Sequence, residues 1–256
     1  MDICGMCNKE SVLQNSHAIP DSVFKKILRS NSGKAIVVPA GGSDPIHYSS
    51  DSWDTSFLCG ECESLLNSLY ESYSLRVLRG SVGDFQRHDL GVTFSGFDPC
   101  RLTSFFISVF WRAANSKHSS YGKVYIPEPW NGEIRDHLFK NTPIPFNLAS
   151  VKISRLIDRT PKNGFTLSSL KSVVMSPFFR KHKYGKYSFC FVFEGFFVEI
   201  FTPGLTYSLR RKAGVILKDK RVLMVPYLDI FDVPEIVDAL VKGYGKYLDG
   251  DVTFKD

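Results

Sequence analysis

Two Cys-x-x-Cys pairs, Cys4-Gly-Met-Cys7 and Cys59-Gly-Glu-Cys62, constrain this chain more than any other feature. Two residues between the cysteines let both sulfurs reach one metal ion from a tight turn. Two such knuckles supply four thiolates, the ligand set of a closed structural zinc site. Two other readings compete. A redox-active pair normally sits at the start of a helix in a thioredoxin-like βαβ unit, and no such pattern surrounds Cys4. Disulfides need an oxidising compartment. The chain opens on the acidic Met1-Asp2-Ile3-Cys4 without an apolar leader, and Cys100 and Cys190 stand alone. The expectation is therefore Zn²⁺ on Cys4, Cys7, Cys59 and Cys62, in a cytoplasmic protein.

Between the knuckles runs Ser16-His17-Ala18-Ile19-Pro20, and the second knuckle reads Leu58-Cys59-Gly60-Glu61-Cys62-Glu63. This order resembles the HNH (His-Me finger, ββα-metal) endonucleases, many of which carry paired zinc knuckles beneath the active site. The resemblance covers about the first 75 residues. It implies an N-terminal zinc-bound ββα module of treble-clef-like form. It also implies His17 as the general base that activates water, and Mg²⁺ or Mn²⁺ as the catalytic metal. By position, Ser16 stands where the family usually has a metal-binding Asp. Asp54 stands at the usual Asn, and Glu63 at the helix position that is often Asn. A serine is a poor Mg²⁺ ligand, whereas Asp54 and Glu63 are good hard-oxygen donors, so the charge has moved rather than vanished. Phe105-Phe-Ile-Ser108-Val-Phe-Trp111-Arg112-Ala113 adds a fainter similarity to bacterial and phage proteins with a Ser-His-x-Ile-Pro variant of the motif. Defence against phage or mobile DNA is the setting this likeness implies.

At 256 residues the chain is long enough for one large domain or two modest ones. With 43% apolar and 23% charged residues it reads as a globular protein. No apolar run approaches the ~18 residues of a membrane span, so no membrane partner is expected. A boundary is expected at Arg79-Gly-Ser-Val-Gly83, dividing the metal-binding module (1–80) from an α+β domain (81–256). The formal charge of +6 is uneven. Residues 1–80 carry 7 Lys or Arg against 9 Asp or Glu, while residues 150–222 carry 15 against 4. Such an excess suits a surface that meets phosphate, although a Lys-rich β domain could carry it without function. Arg180, Lys181, Lys183, Arg210, Arg211 and Lys212 fall at strand ends, where a basic rim could grip a nucleic-acid backbone.

Apolar spacing predicts helices over 21–30, from Gly60 to about Leu78, from Asp98 to about Ser116, over 131–139, and from Pro234 to about Val241. A period of two predicts strands at 151–157, 172–175, 187–193, 196–201 and 214–217. Glu194-Gly195 should turn one hairpin, and Lys218-Asp219-Lys220 a second one into Arg221 to Val225. The whole is α+β with an antiparallel sheet. Trp111 and Arg112 lie in an apolar helix, where core packing competes with stacking on a base. His47, beyond a Gly41-Gly42-Ser43-Asp44-Pro45 turn, is a second candidate near the active site.

Two functions follow. One is a metal-dependent nuclease acting on nucleic acid, DNA above all, with His17, Asp54, Glu63 and Ser16 at the catalytic centre. The other is a zinc-stabilised module that binds nucleic acid, a partner protein or a second copy of itself without cutting. A general base should face an open site with converging carboxylates, whereas a structural histidine should have both ring nitrogens engaged.

Overall fold

A computed structural model describes residues 1–30, 32–39, 44–182 and 187–253. The Gly41-Gly42-Ser43 turn and Lys183 lie outside the described residues. The chain is mixed α and β, with a large, mostly antiparallel sheet and a cluster of four cysteines near the N-terminus.

The first knuckle lies in the turn between β1 (Asp2–Ile3) and β2 (Glu10–Ser11), closed by Cys4 N–H donating to the Lys9 carbonyl at 3.0 Å. β3 (Leu13–His17) then pairs antiparallel with β6 (Asp54–Cys59), from Leu13 opposite Cys59 to His17 opposite Asp54. Between them the chain detours through α1 (Asp21–Ser30), β4 (Ala35–Val37) and β5 (Ile46–Ser49). β4 and β5 form a three-stranded sheet with the C-terminal β14 (Val252–Thr253). β6 feeds directly into α2 (Gly60–Leu66), a π turn over Asn67–Glu71, and α3 (Ser72–Leu78). Helical spacing anticipates this run, but not the wide turn inside it. The π turn leaves backbone carbonyls out of register. Arg101 meets two of them, donating to Leu69 O at 2.8 Å and Ser68 O at 3.3 Å.

Arg101 belongs to α4 (Pro99–Asn115), the spine of the molecule. Asp98 caps it by accepting from the N–H groups of Cys100 and Arg101, and Pro99 takes the first turn, where no N–H is needed. The spacing predicts one apolar side, yet the helix is buried all round because it is packed on two fronts. Phe105, Phe106 and Phe110 meet Phe193 and Phe189 of the large sheet, while Trp111 packs on Phe57 of β6 with ring centroids 5.3 Å apart. Trp111 is thus core. α5 (Trp130–Phe139) packs against α4.

The large sheet comprises β7 (Asp84–His88), β8 (Gly91–Ser95), β9 (Ser150–Ile157), β10 (Met175–Lys181), β11 (Tyr187–Phe193), β12 (Phe196–Phe201) and β13 (Val222–Asp229). Their spatial order is β10-β11-β12-β9-β13-β8-β7, antiparallel except where β13 runs parallel to β9. Alternate residues of β11 face opposite cores: Phe191 and Phe193 join α4, whereas Cys190 and Val192 face the layer formed by α6 (Leu167–Lys171) and α7 (Pro234–Leu248).

Three expectations change here. Residues 172–174 are not strand, because Thr166 caps α6 and β10 begins only at Met175. Residues 214–217 make no second hairpin: they touch β9 through a single Lys152–Val215 bridge, and β13 instead lies between β8 and β9. α7 continues through Gly243 and Gly245 to Leu248, and Gly243 lies where an added Cβ would come within 3.2 Å of Val38. One hydrophobic cluster runs without interruption from Cys4, Leu58 and Leu66 through Phe106 to Phe193, and so includes residues on both sides of the 79–83 turn. Among the described residues, no helix is long and apolar enough to cross a membrane.

Candidate metal centre and adjoining cleft

The ligand atoms of Cys4, Cys7, Cys59 and Cys62 all lie within 4.8 Å of one another, and none of the four is in a disulfide. Cys7 and Cys59 are 3.9 Å apart at sulfur. Four sulfurs at about 2.3 Å from a tetrahedral metal stand about 3.8 Å apart, so the spacing fits one ion. Burial opposes ionisation of Cys4, but the backbone around its sulfur, including the Cys59 N–H at 3.3 Å, brings it down to about 7. Burial and the neighbouring sulfurs push Cys62 up, and burial raises Cys7. Four ionisable sulfurs packed so closely need a cation to be thiolates together. Cys59 does sit at the start of a helix, as a redox pair would, but all four sulfurs converge. The group is compatible with a structural metal such as zinc. Gly5 is required in the first knuckle: its N–H donates to Phe57 O at 3.1 Å, and a Cβ there would fall 2.0 Å from the Phe57 ring.

Beside the cluster, β3 and α1 face the α2–π–α3 run across a polar cleft of about 750 Å³. His17, Asp21, Glu63, Glu71, Arg76 and Arg112 are among its lining residues. His17 ends β3, with its side chain 17% exposed. Its Nε2 lies 2.9 Å from Ser52 Oγ and 3.8 Å from Asp21 Oδ1, and Asp21 also pairs with Lys25. Ser52 is presented by a loop in which Trp53 takes φ 58°, uncommon for a bulky side chain. Packing of Trp53 against Phe24 and Tyr121, at 5.3 and 5.8 Å, holds that loop.

The floor of the cleft is ionic. Arg112, 3% exposed, points Nη1 at Glu63 Oε2 at 3.6 Å and Nη2 at Glu71 Oε2 at 3.1 Å. Glu63 Oε1 and Arg112 Nε are buried without a hydrogen-bond partner. Residues four apart on an α-helix drift around its axis. The wider π turn counters that drift, so Glu63, Asn67 and Glu71 all reach the same cleft.

The structure brings His17 and Glu63 to one cleft but separates the other two catalytic candidates. Ser16 is 3% exposed, and its Oγ accepts from Leu58 N–H at 3.2 Å, which ties β3 to β6. Asp54 lies across the strand pair from His17, outside the residues lining the cleft. Among the described residues, the four cysteines are the one group of three or more His, Cys, Asp or Glu side chains whose ligand atoms converge. Ser52, Asp21 and Arg112 are site residues that the motif does not point to. Arg112 carries a signal of its own, the one charge in the stretch from Phe105 to Ala114. His47 bonds through Nδ1 to Pro45 O at 3.1 Å and does not line the cleft.

The expected basic rim is largely occupied within the fold. Arg180 donates from Nε to Glu235 at 3.0 Å and lies over the Phe197 ring. Arg210 stacks on Phe146 at 4.1 Å, and Arg211 lies over Tyr207 at 5.6 Å. Lys181 and Lys212 are exposed. No protein-family model, curated protein or solved structure matches this chain.

Proposed function

We propose that the four thiolates hold a structural zinc ion and that the adjoining cleft is the active site of an HNH-type nuclease. What carries the reading is one arrangement: His17 ends a strand, that strand pairs with the strand leading into the second knuckle, and Glu63 stands in the first turn of the next helix, facing the same cleft as His17. Zinc in this role is scaffold: it fixes the turn from β6 into α2 and so the position of Glu63. His17 accepts the proton of the attacking water at Nε2, exchanging its hydrogen bond with Ser52 for one with that water. Arg112 lies 3.6 Å from Glu63 Oε2 and anchors that carboxylate at the cleft floor, where Oε1 is buried without a protein donor. A Mg²⁺ or Mn²⁺ ion bound at Glu63 would supply charge neutralisation at the phosphate and the leaving oxygen.

A second reading has its own observation. Ser16 ties β3 to β6, Asp54 does not line the cleft, and Arg112 already neutralises Glu63, as expected of a zinc-stabilised binding module that does not cut. Metal dependence separates the two. Plasmid and single-stranded DNA are incubated with the zinc-loaded protein, with Mg²⁺ or Mn²⁺ added or omitted. A nuclease cuts only with the added cation, and Glu63→Gln lowers the rate at least tenfold; a binding module leaves every substrate intact.

A further inference from the structure

The tip of the β11–β12 hairpin carries Glu194 and Gly195, with φ of 51° and 71°, and Glu194 is 2% exposed. A buried carboxylate at a turn needs partners, and this one has them from distant elements. Arg79, just past α3, donates to Oε1 at 2.6 Å, and Lys26 of α1 lies 3.4 Å from Oε2. Arg155 of β9 donates from Nη1 to the Glu194 carbonyl at 2.8 Å. Two further cations crowd this group. Burial and then Arg155, Lys26 and Arg87 hold Lys171 below the usual lysine range, with Glu194 acting the other way. Arg155 is depressed by burial and by Arg87, against the pull of Glu194.

Lys26 and Arg79 thus meet at the Glu194 carboxylate and Arg155 at its carbonyl, and Lys171 and Arg87 stand near enough for the repulsion of these cations to be felt. One carboxylate shared by Lys26 and Arg79 leaves a surplus of positive charge here, and gathering that surplus costs the folded state through mutual repulsion. Arg79 and the neighbouring Arg76 line the cleft of His17 and Glu63, so the positive surface continues out of that cleft. Lys26, Arg76 and Arg87 are exposed. Arg180, in contrast, is matched one to one by Glu235, and Arg210 lies against the Phe146 ring with its Nε buried.

We infer that this cluster around Glu194, rather than the strand ends at 180–183 and 210–212, is the surface that grips the phosphodiester backbone of a nucleic acid entering the cleft. The inference rests on the nuclease reading of that cleft and adds the route by which its substrate lies. Such contacts are salt-dependent and indifferent to sequence.

The test uses the full-length, zinc-loaded chain without divalent cation, so that nothing is cut. Binding of fluorescent single-stranded DNA, duplex DNA and single-stranded RNA is followed by anisotropy over a range of salt. The triple variant Lys26→Gln/Arg87→Gln/Lys171→Gln should bind at least tenfold more weakly. The slope of log K against log salt should be shallower by about 2 to 3, close to one for each phosphate that is no longer neutralised. Lys181→Gln/Lys212→Gln should bind as wild type does. Melting curves and zinc content establish that both variants are folded. Weaker binding by the double variant instead, or by both variants equally, overturns the inference and leaves the nuclease reading standing. A wild-type chain that binds none of the three ligands overturns both. The arm with the tightest binding identifies the source of the backbone.

Discussion

Arg112 is the residue on which the cleft depends. Its guanidinium is buried between Glu63 and Glu71, and removing it strands two carboxylates at the cleft floor. Breaking a buried ion pair from one side typically costs about 3 kcal/mol or more, while replacing all charged members together can be nearly neutral. Arg112→Met should therefore lose about 3 kcal/mol in denaturant unfolding, and Arg112→Met/Glu63→Gln/Glu71→Gln should recover most of it. A single variant within about 0.5 kcal/mol of wild type would contradict the ionic floor. That His17 and Glu63 line one cleft is legible in the sequence because His17 lies between the knuckles and Glu63 directly follows the second. Ser16 is not a site residue for a simple reason: neighbours on a strand face opposite sides, so the residue next to His17 points away from what His17 faces. Ser52 leaves no trace in the sequence, because only the fold of the 51–54 loop brings it to His17.

Among the elements, the first knuckle has little packing of its own beyond the four-cysteine cluster, whereas β6 and the helix that follows add Leu58 and Leu66 to the main core. β1 and β2 are two residues each, and β1 is exposed. A structural zinc site contributes folding free energy directly. Removing zinc with a chelator, or substituting Cys59→Ser, should lower the melting temperature by about 10 °C, the shift expected for about 3 kcal/mol in a chain of this size. An unchanged melting curve with zinc gone would mean the thiol cluster is not structural. The long helices, the aliphatic strand β9 and the aromatic strands β11 and β12 are readable from period alone. β7 and β8 are not. Asp84 to His88 is an exposed edge of mixed polarity with no alternation to detect, and the parallel partner of β9 lies far downstream in the chain. The π turn is also invisible, since one inserted residue barely alters a helical period.

At the scale of the whole molecule, composition places the positive charge in the C-terminal half but does not say which cations are free. Contacts decide that: Arg180 is matched by Glu235 and Arg210 lies on Phe146, whereas Lys26 and Arg79, from one half of the chain, share the single carboxylate of Glu194 in the other. The two halves also share one hydrophobic cluster through α4, so the cleft and the sheet that carries this charge are built on a common core. The measurement that tests the central claim most directly is nucleic-acid cleavage by wild type beside His17→Ala, with zinc content and melting temperature read on the same preparations. The account predicts that wild type cuts in Mg²⁺ or Mn²⁺ and that His17→Ala, equally folded and equally loaded with zinc, is at least a hundredfold slower, the scale of a lost general base. Cleavage that survives in His17→Ala, or a zinc-loaded wild type that cuts nothing, would contradict it.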